Sequence, residues 1–168
     1  YEEWKKKAMS ISFFAGNKEA LAVIAISDKV KTSSKEAVDD LHKLGLEVHM
    51  LTGDNEESAA VAALEAGIDI YRAGLLPGDK QDHIRELQKK GKIVAMVGDG
   101  INDTQALAQA DVSIAMGKGS DIALDTARMT IISSELTKIA QALRLSKLTV
   151  KTIRQNLFWA SVYNLIAI

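Results

Sequence analysis

Between Val97 and Leu107 the chain reads Val-Gly-Asp-Gly-Ile-Asn-Asp-Thr-Gln-Ala-Leu, which sets Asp99 and Asp103 four residues apart around two glycines. Carboxylates are hard oxygen ligands of the kind Mg²⁺ prefers. Asn102 adds a carboxamide able to hydrogen-bond a neighbour or an anion, and Gly98 and Gly100 permit turns that a side chain would obstruct. Thr52-Gly53-Asp54-Asn55 places a hydroxyl and a flexible backbone amide just ahead of a helical pattern. A helix N-terminus carries free N–H groups and partial positive charge, which suits a phosphoryl oxygen. Lys80 lies in the first turn of a further helical pattern, where a cation is mildly mismatched to the helix dipole, as expected of a side chain aimed at an anion. Plainer readings stand beside these. Asp, Asn and Thr turn and cap chains whatever the function, and a lone lysine is usually solvated. The dinucleotide pattern G-x-G-x-x-G fails because Asp103 stands at the third glycine, and Gly117-Lys118-Gly119-Ser120 lacks the spacing of a P-loop.

The surrounding pattern alternates strand-like with helix-like segments, the signature of a parallel sheet covered by helices. Leu21 to Ile26, Glu47 to Leu51, Ile68 to Tyr71, Ile93 to Val97, Val112 to Met116 and Met129 to Ile132 read as strands. Helices are expected over Ser33 to Leu44, with Ser34 as cap and Gly45 as stop, and over Glu56 to Ala66, Gly78 to Lys90 and Thr104 to Ala110. A short helix is expected from Asp121, and one long helical pattern runs from Glu135 onward. The acidic and hydroxyl residues therefore fall at the carboxyl ends of strands, where open α/β sheets bind ligands.

Composition narrows the function classes. At 168 residues the chain can form one domain with a real core. Its 21 Lys and Arg nearly balance 22 Asp and Glu, and no basic patch interleaves with aromatics, so nucleic acid is not an expected partner. The absence of cysteine removes disulfides and thiolate metal sites. His42, His49 and His83 lack metal-ligand spacing and read as surface or turn residues. The first residues, Tyr-Glu-Glu-Trp-Lys-Lys-Lys, are too charged for a signal peptide and read as a cut end. The run from Leu157 to Ile168 is apolar but shorter than the about 20 residues a bilayer needs. Arg144, Lys147, Lys151 and Arg154 precede it, as cytoplasmic flanks of membrane helices do, so an interrupted membrane helix is expected over a core-packing amphipathic one.

Taken in order, Thr52-Gly53-Asp54, Lys80 and Gly98-Asp99-Gly100-Ile101-Asn102-Asp103 resemble the strand-end motifs of a haloacid-dehalogenase-type phosphoryl-transfer domain. With Asn55 and the tail Ala106-Leu107-Ala108-Gln109-Ala110-Asp111, nearly the whole chain is similar to the phosphorylation domain of P-type cation-transporting ATPases, in their heavy-metal branch. The resemblance implies an α/β, Rossmann-like core with a parallel sheet, helices on both faces and a long C-terminal helix. It implies Mg²⁺ and ATP as cofactors. Thr52 and Gly53 of the Thr-Gly-Asp motif would bind the phosphoryl group, with Asp54 completing that motif. Lys80 would neutralise phosphoryl charge, Asp99 would bind Mg²⁺, and Asp103 and Asn102 would complete the acidic corner. Asp28 and Lys31 match the Asp-x-x-Lys segment at the hinge to the nucleotide domain. The family's nucleophile, the aspartate of Asp-Lys-Thr-Gly-Thr, has no match in this sequence, because Asp28-Lys29-Val30-Lys31-Thr32 lacks the motif's core. The fragment alone is therefore not expected to be active. Gln105 stands where the family usually has proline, which affects only the start of a helix.

The resemblance further implies three parts. Residues 1–21 are the tail of a nucleotide-binding insertion and hinge, 22–134 the C-terminal part of the phosphorylation domain, and 135–168 a linker helix entering the membrane. Tyr163-Asn164 matches a pair in the copper and silver pumps, and a polar amide in a membrane helix is costly enough to suggest a role with the transported ion. Zinc-type relatives are expected to place a lysine in this region, and none follows Arg154. Partners would be ATP, a copper or silver ion, the membrane and the remaining domains of the same polypeptide, with the intact protein multi-pass and this domain cytoplasmic. The rivals are a soluble phosphatase of the same superfamily and a non-catalytic phosphate- or nucleotide-binding module.

Overall fold

The computed structural model describes residues 10–16, 19–26, 29–99, 101–117 and 125–167. Chain order runs β1 (Ser10–Ala15), β2 (Ala20–Ile26), α1 (Thr32–Lys43), β3 (His49–Leu51), α2 (Glu56–Ala66) and β4 (Ile70–Arg72). It continues with α3 (Pro77–Lys89), β5 (Ala95–Gly98), a 3₁₀ turn over Ile101–Asp103, α4 (Thr104–Gln109), β6 (Val112–Met116), β7 (Met129–Ile131) and α5 (Thr137–Ala167). The short helix expected from Asp121 begins outside the described residues.

The parallel ladders form as two sheets, β3–β4 and β5–β6–β7. β1 and β2 form a separate antiparallel hairpin, from Ser10 opposite Ile26 to Ala15 opposite Ala20. The α/β fold with a long C-terminal helix is as expected, whereas β1 was not anticipated. Helix boundaries follow local chemistry. Asn55 caps α2 by accepting from the Ser58 amide at 2.9 Å, and Gly67 ends it in the left-handed region at φ 72°. In α1 the cap position falls on Lys31 without a side-chain bond, so Ser34 is not the cap, while Gly45 follows the helix at φ 80° as expected.

Two apolar clusters hold the sheets to their helices. Ile84 of α3 packs with Ala106 and Ala110 against Val94 and Met96. Ile114, Met116 and Ile139 gather Leu41, Val97, Ile131, Leu136 and Leu143, which seats the first turns of α5 on β6 and β7. Arg144 of α5 reaches Asp40 of α1 at 2.9 Å, and beyond it the apolar residues Leu157, Phe158, Trp159, Leu165 and Ile166 are exposed. Among the described residues no helix is long and apolar enough to cross a membrane. β5 begins at Ala95 rather than Ile93. The Val94 amide is taken by the Asp111 carboxylate at 2.8 Å, and Ile93 is exposed. That same bond holds the Asp111 carboxyl below its ordinary range.

Candidate functional site

The strand β5 delivers Gly98 and Asp99 to the edge of its sheet, and the 3₁₀ turn brings Asp103 back over Gly98. The approach is close: a Cβ on Gly98 would stand 2.8 Å from both Cβ and Oδ2 of Asp103. Only glycine leaves room for that carboxylate. The other oxygen of Asp103, Oδ1, accepts from Lys80 Nζ at 2.8 Å, with both side chains 14 % exposed. The anion that Lys80 faces in this structure is thus Asp103, a partner 23 positions away that spacing could not disclose.

Asp99 differs from Asp103. Its side chain is exposed and makes no hydrogen bond or ion pair among the described residues. It lines a cleft of about 400 Å³ with Gly98, Asp103, Gly117, Ser134 and Leu136. Lys31, at the cap position ahead of α1, reaches this cleft, donating to Ser134 Oγ at 3.2 Å and standing 3.9 Å from Glu135. Asn102 is exposed on the 3₁₀ turn, Asp28 and Gly100 lie outside the described residues, and Tyr163 and Asn164 are exposed on distal α5.

At the end of β3 the loop closes on itself. Thr52 Oγ1 donates to Asp54 Oδ2 at 2.7 Å and accepts from the Asp54 amide at 3.1 Å. Its backbone carbonyl accepts from Leu75, and the Asp54 carbonyl accepts from Gly74, at 3.0 and 2.7 Å. Leu76, next in the chain, caps α3, its amide donating to Asp79 Oδ2 at 2.9 Å. The Thr52 loop is thereby tied to the start of the helix that carries Lys80, and Lys80 to Asp103. No hydrogen bond joins Thr52 or Asp54 directly to Asp99 or Asp103 among the described residues.

The donor set fits Mg²⁺. That ion commonly takes one or two carboxylates and completes its octahedron with waters and phosphate oxygens. One free carboxylate beside a second one meets that need, and among the described residues no group of three or more acidic, histidine or cysteine side chains gathers to hold a metal by itself. Two histidines depart from expectation: His83 is buried and His49 is half-buried in β3, while His42 is exposed as expected.

Comparison with known proteins shows the family. The haloacid dehalogenase-like hydrolase family matches residues 2–111. The chain is 48 % identical, over 99 % of its length, to a protein of Synechocystis sp. (strain PCC 6803) named probable copper-transporting ATPase PacS, and covers 22 % of that protein. It is 47 % identical, again over 99 % of its length, to the copper-exporting P-type ATPase of Bacillus subtilis (strain 168), covering 21 % of it. The chain therefore spans about a fifth of these curated relatives. Among solved structures, a zinc-transporting PIB-type ATPase in its E2.Pi state superposes with TM-score 0.80 at 37 % identity, over 92 % of this chain and 25 % of that one. The catalytic domain of the CPx-ATPase CopB-B gives 0.65 at 32 % identity, over 79 % of this chain and 57 % of that one.

Proposed function

The chain belongs to the haloacid dehalogenase-like hydrolases and corresponds to the phosphorylation-domain region of heavy-metal, copper-type P-type ATPases, and on that premise we propose that it supplies the Mg²⁺ and phosphoryl-binding half of an aspartyl-phosphate site. One observation carries the reading: an exposed Asp99, without a partner among the described residues, beside an Asp103 that is held by Lys80. In this reading Asp99 holds Mg²⁺, which when bound supplies charge neutralisation to the phosphoryl group. Asp103 fixes the Lys80 ammonium within reach of that charge, and Asn102 completes the corner. Thr52 and Gly53 bind the equatorial oxygens. The single hydroxyl hydrogen of Thr52 is now given to Asp54, so it serves a phosphoryl oxygen by rotating away from that carboxylate. Positioning and fixed charge of this kind are what phosphoryl transfer asks of a protein.

The attacking carboxylate comes from an Asp-Lys-Thr-Gly-Thr segment elsewhere in the pump, ATP is the phosphoryl donor, and the cargo is a copper or silver ion. Lys31, with Asp28, belongs to the hinge, and its bond to Ser134 puts it at the cleft's rim. Residues 1–21 are the tail of the nucleotide-binding insertion and the hinge, 22–134 are the C-terminal part of the phosphorylation domain on the cytoplasmic side, and 135–168 are a linker helix leading into a membrane helix where Tyr163 and Asn164 face the ion. The test is covalent labelling. The chain alone takes no acid-stable label from the γ-phosphate of ATP, whereas the intact pump does so through an aspartate outside it. Label recovered on Asp28 would contradict the assignment.

A further inference from the structure

The β3 strand and the α3 helix meet through two imidazoles. His49 Nδ1 lies 3.1 Å from His83 Nε2, with ring centroids 5.2 Å apart and planes tilted by 47°. On its other side His49 Nε2 lies 2.6 Å from Glu47 Oε1. His83 is 8 % exposed, and its Nδ1 is buried without a hydrogen-bond partner among the described residues.

These contacts fix the protons. The His49 contact and then the charge of Lys92 hold the Glu47 carboxyl below its ordinary range, so Glu47 is an ionised acceptor and His49 Nε2 must carry a hydrogen. Nδ1 of a neutral His49 is then a lone pair, and His83 Nε2 donates to it. His83 Nδ1 is left as the bare end of the chain. Suppose one more proton is added while the contact is kept. If His83 takes the charge, the hydrogen sits on its Nδ1. If His49 takes it, His49 Nδ1 becomes a donor, and His83 must shift its own hydrogen from Nε2 to Nδ1. Either way a buried N–H points where nothing among the described residues accepts it, which costs the full desolvation of that donor.

We propose that Glu47, His49 and His83 form a proton-sensitive clasp that positions the Thr52 loop and Lys80 for phosphoryl binding, and that it closes only when both rings are neutral. This rests on the function proposed above, and deepens it. His49 opens the strand that ends just before Thr52, and His83 stands one turn beyond Lys80 on α3, so parting the rings shifts both phosphoryl-binding elements. The charged neighbours set the direction. Burial opposes a charge on His83 most strongly, Arg72 of β4 and His49 oppose it next, Glu86 favours it, and Lys90 opposes it. At His49 the facing groups are Glu47 and, behind it, Lys92. The His83 pKa therefore lies below the ordinary 6.5, and a group that must stay neutral contributes fully above that value. Its contribution is lost as pH falls through the lowered one.

Clasp residues are positioning residues, so the decisive readouts are tautomer and pH profile. Long-range ¹H–¹⁵N spectra of the histidine-labelled chain at about pH 7.5 should show His49 and His83 both as Nε2–H tautomers. On lowering the pH to about 5.5, the Thr52 and Lys80 amide signals should shift with the midpoint of His83 itself. His83→Gln keeps a neutral donor at the Nε2 position and should abolish that shared response while leaving the neutral-pH signals in place; His83→Phe should displace them at every pH. An Nδ1–H tautomer on either ring at neutral pH, or a Thr52 and Lys80 response that persists in His83→Gln, would overturn the clasp. The tautomers of the unaltered chain decide the matter even where a variant fails to fold. None of these readouts needs Mg²⁺ or phosphate, so they stand apart from any failure of the proposed function.

Discussion

The loops after β3 and β5 leave parallel strands in the same way and differ in what they hold back. At Thr52-Gly53-Asp54 the side chains of Thr52 and Asp54 bond each other within the loop, while the backbone of Thr52 and Asp54 bonds to Arg72, Gly74 and Leu75 at the end of the neighbouring strand. At Gly98-Asp99 and Asp103 one carboxylate is fixed by a lysine from a different helix and the other has no partner among the described residues. In the first loop the side chains bond locally. The second is built by tertiary contact, and it keeps one charged group uncommitted. A fixed acid orients its lysine, while a free acid beside it is available to a cation, so two aspartates of one motif serve different purposes.

Substitutions that cut the tertiary contact should cost more than those that cut the local ones. Lys80→Ala leaves Asp103 as a largely buried charge without its partner and should lower unfolding free energy by about 3 kcal/mol in urea titration. Gly98→Ala drives a methyl into Asp103 and should cost about 2 kcal/mol by the same measurement, with loss of the Lys80 contact. Asn55→Ala removes the cap of α2 and should cost about 1 kcal/mol. Thr52→Val deletes the hydroxyl that bridges to Asp54 and should cost about 0.5–1 kcal/mol, since both partners remain open to water. A Thr52→Val cost exceeding that of Lys80→Ala would reverse the ranking and break the contrast between the loops.

The same contrast explains what the sequence disclosed. α2 and β6 fall residue for residue where pattern placed them, because Asn55 and Gly67 punctuate one and an unbroken apolar run marks the other. The strand-end positions of Thr52 and Asp99 are legible for the same local reasons. What was not legible depends on distant partners. The Lys80–Asp103 pair spans 23 positions, and the dipole mismatch at Lys80 signalled an anion without naming it. His49 and His83 read as surface residues, yet they meet across 34 positions and bury one ring. β5 starts late because a side chain from Asp111 replaces the ladder bond at Val94, and the cap of α1 falls on Lys31 rather than Ser34. Strand β1 pairs with β2 as a hairpin, which the apolar pattern starting at Leu21 does not include.

The division of labour between the two aspartates is tested most directly by calorimetric titration of Mg²⁺ into the chain with a phosphate mimic present, comparing the unaltered protein with Asp99→Ala. Asp99 is exposed and has no hydrogen bond or ion pair among the described residues, so its removal should leave the fold intact. Asp99→Ala should weaken Mg²⁺-dependent binding by on the order of tenfold or more, about 1.4 kcal/mol at the least. Equal binding by the two proteins would contradict the account.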